Sequence, residues 1–238
     1  MYEKIKAVIP LESSPEIFTN FAHELGLKRQ MAFDDIYSLT EPDLMAFLPR
    51  PMKSIILLFP VNEFFDATKK KEGENDDEPI DSPDGPVIWF KQIISNACGL
   101  YALLHSLANN PDCLTEGSVL KEFLSLNKRE DGKYNDEPTA DFMLSISELY
   151  HKNSKQGQTE APLPEATVDL HFITFIAHGG KIFELDGSRN SAHCLGPARG
   201  EDLLDEDLVK GRVQWYMDHA DEKMKHQFSL MGMGPSWD

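Results

Sequence analysis

The chain has 238 residues, 41% of them hydrophobic, and a formal net charge of −17 from 23 Lys and Arg against 40 Asp and Glu. That length supplies ample core for one large domain or two small ones, and no apolar run approaches the roughly 18 residues of a membrane-spanning helix. The acidity excludes sequence-independent nucleic-acid binding, which needs a basic surface, and suits a basic partner instead.

The start, Met1-Tyr2-Glu3-Lys4, lacks the charged-then-apolar layout of a secretory signal. Three cysteines, Cys98, Cys113 and Cys194, cannot all pair with one another. Together these predict free thiols in a reducing compartment, cytosolic or nuclear. Residues 15–25 carry Ile17, Phe18, Phe21 and Leu25 on one helical side, with Ser13 or Ser14 available as cap. A short helix over 42–48 is stopped by Pro49-Arg50-Pro51. Ile55 to Phe59 is apolar at every position, so it predicts a central strand buried on both faces. Between Lys69 and Gly85 the composition turns polar and acidic, which predicts a mobile surface loop with little to bury.

The run Gln92-Ile93-Ile94-Ser95-Asn96-Ala97-Cys98-Gly99-Leu100 follows. Leu100, Leu103, Leu104 and Leu107 repeat at helical spacing, with Ser95 and Asn96 as N-cap candidates and Asn109-Asn110-Pro111 as the stop. A helix therefore opens at Cys98. A thiol there feels the positive end of the helix dipole, which favours thiolate. The competing reading is a buried cysteine acting as a small hydrophobe. Amphipathic helices follow over 118–126 and 139–150. Residues 152–167 are polar, hold Gly157, Pro162 and Pro164, and predict a second long loop of the kind that is usually functional or disordered.

Asp169 to Ile176 reads as a strand, His178-Gly179-Gly180 as a turn, and Lys181 to Gly187 as the returning strand. A Gly179-Gly180 loop puts His171 diagonally across from Asp186 on one sheet face. A His178-Gly179 loop puts them directly opposite, and an odd loop without a bulge separates them. As neighbours, the carboxylate would accept the imidazole N–H and leave the other ring nitrogen as a base. Each has a bland alternative, a histidine satisfied within a sheet and an aspartate capping a turn. Gln92, six residues before Cys98, could place an amide N–H beside the Cys98 backbone N–H as an oxyanion hole. The assembled chemistry is nucleophilic acyl transfer by Cys98, with His171 as base, Asp186 as orienter and Gln92 as oxyanion donor. A helix near 203–223 ends the reading, giving a mixed α and β class in a single domain over 1–238. No cofactor is implied. Cys113 stands alone and Cys194 follows His193 directly, so no metal-ligand spacing exists. His105 and His178 read as packing and turn residues.

These motifs resemble the ubiquitin C-terminal hydrolases, papain-like cysteine peptidases. The likeness lies in the Gln92–Gly99 run, in Asp169-Leu170-His171-Phe172-Ile173 and in Glu184-Leu185-Asp186-Gly187. It extends to Pro10-Leu11-Glu12-Ser13-Ser14-Pro15, Leu48-Pro49-Arg50-Pro51 and Gly157-Gln158-Thr159-Glu160-Ala161-Pro162. The resemblance implies an α+β, two-lobed fold with a central antiparallel sheet flanked by helices and a knotted backbone. It implies catalytic roles for Cys98, His171, Asp186 and Gln92. Residues 152–167 would be the active-site crossover loop that keeps large folded leaving groups out. The implied reaction is hydrolysis after the C-terminal glycine of ubiquitin, or of a ubiquitin-like protein, releasing small adducts or short peptides. Leu11, Glu12, Asp35 and Phe228 fall in segments matching the ubiquitin-contact surface, although Leu11 and Phe228 also read as core. The protein would act as a monomer, away from membranes. A non-catalytic ubiquitin-binding module of the same fold is the alternative, and the presence of all four catalytic residue types favours the enzyme.

Overall fold

The computed structural model describes residues 6–73, 85–153 and 169–237. A six-stranded antiparallel sheet, with helices packed on both faces, organises them. The strands are β1 (Met31–Asp35), β2 (Ser54–Pro60), β3 (Leu170–His178), β4 (Lys181–Leu185), β5 (His193–Pro197) and β6 (Ser229–Pro235), in the spatial order β1-β6-β2-β3-β4-β5. The helices are α1 (Pro15–Leu25), α2 (Pro42–Met45), α3 (Glu63–Gly73), α4 (Cys98–Ala108), α5 (Val119–Asn127), α6 (Asp136–Asn153) and α7 (Asp207–His219). None of them is long and apolar enough to cross a membrane.

The predicted central strand is β2, held between β6 and β3. Its alternating side chains divide the core. Ile56 joins one apolar cluster with Phe18, Leu100, Leu103 and Leu104. Ile55, Leu57 and Phe59 join the other, with Phe65, Val213 and Tyr216. Thus α1 and α4 cover one face, and α3 and α7 the other. This is the α+β sheet flanked by helices that the resemblance implies.

Helix α1 starts as expected: the Ser14 side chain accepts a hydrogen bond from the Ile17 N–H, and Gly26 closes the helix at φ 117°. Three strands were not expected. The β6 run Ser-Leu-Met-Gly-Met-Gly-Pro has weak strand propensity. Its glycines serve packing: a Cβ at Gly232 or Gly234 would lie 2.7 or 2.9 Å from the Met52 sulfur. Strands β1 and β5 are five residues each and at the sheet edges, too short to show periodicity.

Two expected loops are corrected in part. Residues 69–73, assigned to the acidic surface loop, form the last turn and a half of α3. The helix persists because its Phe65 packs on Phe59 and Tyr216 and its Glu72 is tied to two arginines. Residues 152–153 continue α6. The remaining parts of the two loops, 74–84 and 154–167, lie outside the described residues.

Candidate active site

Helix α4 opens at Cys98 as predicted, but Ala97, not Ser95 or Asn96, holds the N-cap position. Asn96 instead takes the left-handed conformation at φ 61°, which turns the chain into the helix. Nor is α4 a surface helix with one apolar side, since all eleven of its residues are buried. Its polar residues therefore find most of their partners internally, although among the described residues His105 Nδ1 is buried without one. Ser106 bonds Ser54 on β2, and His105 Nε2 accepts the Phe90 N–H at 3.0 Å. Burial holds the His105 imidazole neutral, its pKa lowered to about 4.

The β3–β4 hairpin closes through Gly179-Gly180, since His178 pairs with Lys181 and Thr174 with Leu185. That register sets His171 diagonal to Asp186, the first of the alternatives above. His171 Nε2 lies 2.7 Å from Asp186 Oδ1. The Cys98 thiol is the ring's other side-chain partner. His171 also pairs with Phe59 across β2, whose ring meets the imidazole edge-on at 88°. The base is thus held by a strand neighbour, an orienting carboxylate and the nucleophile.

The electrostatics follow from these contacts. Burial pushes the Cys98 thiol up, but the His171 hydrogen bond and charge and the Phe172 and Gly99 N–H groups bring it below its ordinary value. Burial would pull His171 down, yet the Asp186 charge and hydrogen bond and the Cys98 contact raise it to about 9. Asp186, 0% exposed, is held well below the carboxylate range by His171 and Lys69 despite its burial. Each partner thus favours the charged form of the other, thiolate beside imidazolium.

The Asp186 turn is fixed on all sides. Ser188 N–H donates to Asp186 Oδ1 at 2.8 Å, and Trp89 Nε1–H donates to the Asp186 carbonyl at 2.9 Å. Gln92 N–H donates to the Gly187 carbonyl at 2.9 Å, joining the oxyanion candidate to the orienter's turn. A Cβ on Gly187 would lie 2.8 Å from the Gln92 Cβ, so only glycine lets these two segments close. Gln92 Nε2 donates one N–H to the Ile94 carbonyl at 3.1 Å, which leaves its second N–H for another acceptor.

Comparisons with known proteins give the family. The family profile described as "Ubiquitin carboxyl-terminal hydrolase, family 1" matches residues 8–218. The chain belongs to that family. It is a cysteine-peptidase deubiquitinase by membership. It is 45% identical to the ubiquitin carboxyl-terminal hydrolase YUH1 of Saccharomyces cerevisiae, over 98% of each chain. It is also 34% identical to the ubiquitin carboxyl-terminal hydrolase isozyme L1 of Equus caballus, over 84% of this chain and 87% of that one. In fold it resembles the catalytic domain of Trichinella spiralis UCH37 bound to ubiquitin vinyl methyl ester, with a TM-score of 0.65, 24% identity and 96% of each chain covered.

The hydrolase's four other candidate residues separate into two groups. Glu12 and Asp35 line one acidic cleft, together with Glu16 and Asn20. Asp35 and Phe228 line an adjoining groove of about 410 Å³, walled by Ile36, Leu39, Val213 and Met217. Leu11 departs from the expectation of a surface contact. It is 5% exposed, and a Cβ on Gly99 would lie 2.9 Å from its Cβ, so it packs against the start of the nucleophile helix. Cys113 is buried with its thiol pushed up to about 11, the opposite of an activated cysteine. Among the described residues, no group of three His, Cys, Asp or Glu side chains is gathered to hold a metal ion.

Sequence reasoning missed a buried ionic cluster beneath Asp186. Glu184, 0% exposed, accepts from Arg189 at 2.8 Å, Arg212 at 2.6 Å and the Tyr216 hydroxyl at 3.1 Å. Glu72 bridges the same two arginines at 2.6 and 2.8 Å. The available signal was the three-residue spacing of Lys69 and Glu72, which shares one helix face once the helix is recognised.

Proposed function

We propose that the hydrolase cleaves after the C-terminal glycine of ubiquitin through Cys98, His171, Asp186 and Gln92. The Cys98 thiolate attacks the glycine carbonyl carbon, and the tetrahedral oxyanion accepts hydrogen bonds from the Gln92 side chain and the Cys98 backbone N–H. The His171 imidazolium gives its proton to the leaving amine as the C–N bond breaks, leaving a thioester on Cys98. Neutral His171 then takes a proton from water, whose oxygen attacks the thioester. The C–S bond breaks and restores the thiolate–imidazolium pair, and the ubiquitin carboxylic acid so formed loses its remaining proton to solvent and leaves as the carboxylate. Asp186 keeps the ring oriented throughout.

The observation that carries this reading is the His171 ring, bonded to the Asp186 carboxylate at 2.7 Å and coupled to the Cys98 thiol. A module that only bound ubiquitin would have no use for the shifted thiol and imidazole. The acidic cleft of Glu12 and Asp35 suits the basic tail of ubiquitin, and the groove at Phe228 suits an apolar contact beside it. A ubiquitin-like protein with a similar tail is a second substrate class, and residues 152–167 would restrict both to small or unfolded leaving groups. The enzyme works as a monomer, and its three free cysteines suit the reducing cytosol or nucleus.

The test is ubiquitin carrying a C-terminal electrophile. Labelling at Cys98 alone, with Cys113 and Cys194 untouched, is the expected result. Folded protein that takes no label would overturn the reading. Replacing His171 with Ala should abolish turnover and leave ubiquitin binding measurable.

A further inference from the structure

Oδ1 of Asp186 is occupied by His171 and the Ser188 N–H. The second oxygen, Oδ2, is buried, and no other side chain is recorded against it among the described residues than the Lys69 ammonium at 2.6 Å. Lys69 is itself enclosed, with its side chain 11% exposed. Its ammonium also donates to Ser188 Oγ at 3.2 Å and lies 5.7 Å from the centre of the Phe59 ring, the ring that meets His171 edge-on.

One turn further along α3, Glu72 binds Arg189 and Arg212. The helix is thereby fixed at both points of contact with the orienter's surroundings. A lysine on a surface loop would gain nothing from such enclosure. Here a buried carboxylate oxygen needs a cation, and the helix delivers one.

We propose that Lys69 is a positioning residue for the hydrolysis: its ammonium pins Asp186 Oδ2 so that Oδ1 stays on the His171 ring. This rests on the role given to the Asp186–His171 pair above. Lys69 touches neither substrate nor the reacting atoms. It acts in two ways. It fixes the rotation of the carboxylate, and it offsets part of the carboxylate's charge, which limits how strongly His171 holds its proton. The charged and titratable groups around Asp186 are His171 from β3, Lys69 from α3, Cys98 and His105 from α4, and Tyr216 from α7. Arg189 and Arg212 also lie close by, but their guanidinium groups are engaged by Glu184 and Glu72, so Lys69 is the cation paired with the Asp186 carboxylate.

The experiment compares wild type, Lys69→Met and Lys69→Arg. His171 is followed by NMR titration, and hydrolysis of ubiquitin with a small C-terminal amide leaving group is measured on the same samples. Lys69→Met should titrate His171 at higher pH than wild type and lower kcat by about 10–100-fold through misplacement of the base, with KM within about twofold. Lys69→Arg should restore most of both. Should Lys69→Met fail to fold, Lys69→Gln keeps a donor without the charge and carries the same expectations.

A folded variant whose His171 titration is unmoved and whose kcat stays within twofold overturns the proposal. So does a loss of activity that tracks stability alone and is not rescued by arginine. A wild type that hydrolyses nothing, with the His171 shift still present in Lys69→Met, would overturn the functional reading and leave the Lys69 assignment standing.

Discussion

Cys98 opens α4, a fully buried helix without an acidic residue, lysine or arginine, whereas Asp186 follows β4 beside Glu184, Arg189, Arg212, Glu72 and Lys69. The first region is held by leucines from several directions, and its polar atoms are few and mostly satisfied within the core. The second sets a buried glutamate and a half-buried one against two arginines, an arrangement that is stable only while every charge keeps its partner. The difference teaches how one site obtains two opposite shifts. A dry apolar setting makes the His171 contact strong enough to lower the thiol, and a dense set of fixed charges keeps the orienting carboxylate ionised.

Four substitutions probe that contrast. Glu184→Ala should have the largest effect on stability, about 3–5 kcal/mol, because it leaves the buried Arg189 and the largely enclosed Arg212 short of a partner. Denaturant unfolding measures it. The sign with pH is fixed. Glu184 is lowered in the folded state from 4.5 to about 2, so its stabilisation is full above pH 4.5 and is lost as pH falls toward 2. The gap between wild type and variant should close on acidification. Leu104→Ala, on the apolar side, should cost about 3 kcal/mol from its cavity, with no such pH dependence. An acid-sensitive Leu104→Ala deficit, or an acid-insensitive Glu184→Ala deficit, would break the comparison.

Gln92→Ala should lower kcat by about 10²-fold, the effect of one lost oxyanion donor, with little change in unfolding. A fall in stability of comparable size would mean that the amide serves mainly the turn it shares with Gly187. The smallest effect is expected from Ser14→Ala, about 1 kcal/mol from the lost cap of α1, with kcat unchanged. A change in kcat there would show that α1 reaches the nucleophile through Phe18 and the shared core.

The apolar region was the more legible in sequence. Leucines at helical spacing, a five-residue apolar strand and a Gly-Gly turn are local patterns, and each predicted its element. The hairpin register even carried the His171–Asp186 pairing, because side-chain alternation converts loop length into geometry. The charged region was opaque for the same reason. Glu72 fell within the span assigned to a loop, Glu184 entered only through the Asp186 motif, and nothing local marks Arg189 or Arg212, since only the tertiary fold brings the four together. Lys69 sits in a polar stretch whose composition favours a loop, and tertiary packing of Phe65 overrode it. Strand β6 was hidden by its glycines, which are there to admit Met52. Leu11 was ambiguous, because an apolar residue in a matched segment can serve substrate or core, and burial decided for core.

The central claim is that Cys98 and His171 form a thiolate–imidazolium pair poised for acyl transfer. The most direct measurement is the ultraviolet thiolate absorbance across pH, taken as the difference between wild type and Cys98→Ala. The account predicts a thiolate that titrates below the ordinary thiol value of about 8.5 and moves upward in His171→Ala. A Cys98 signal that emerges only at or above that value in wild type would contradict it.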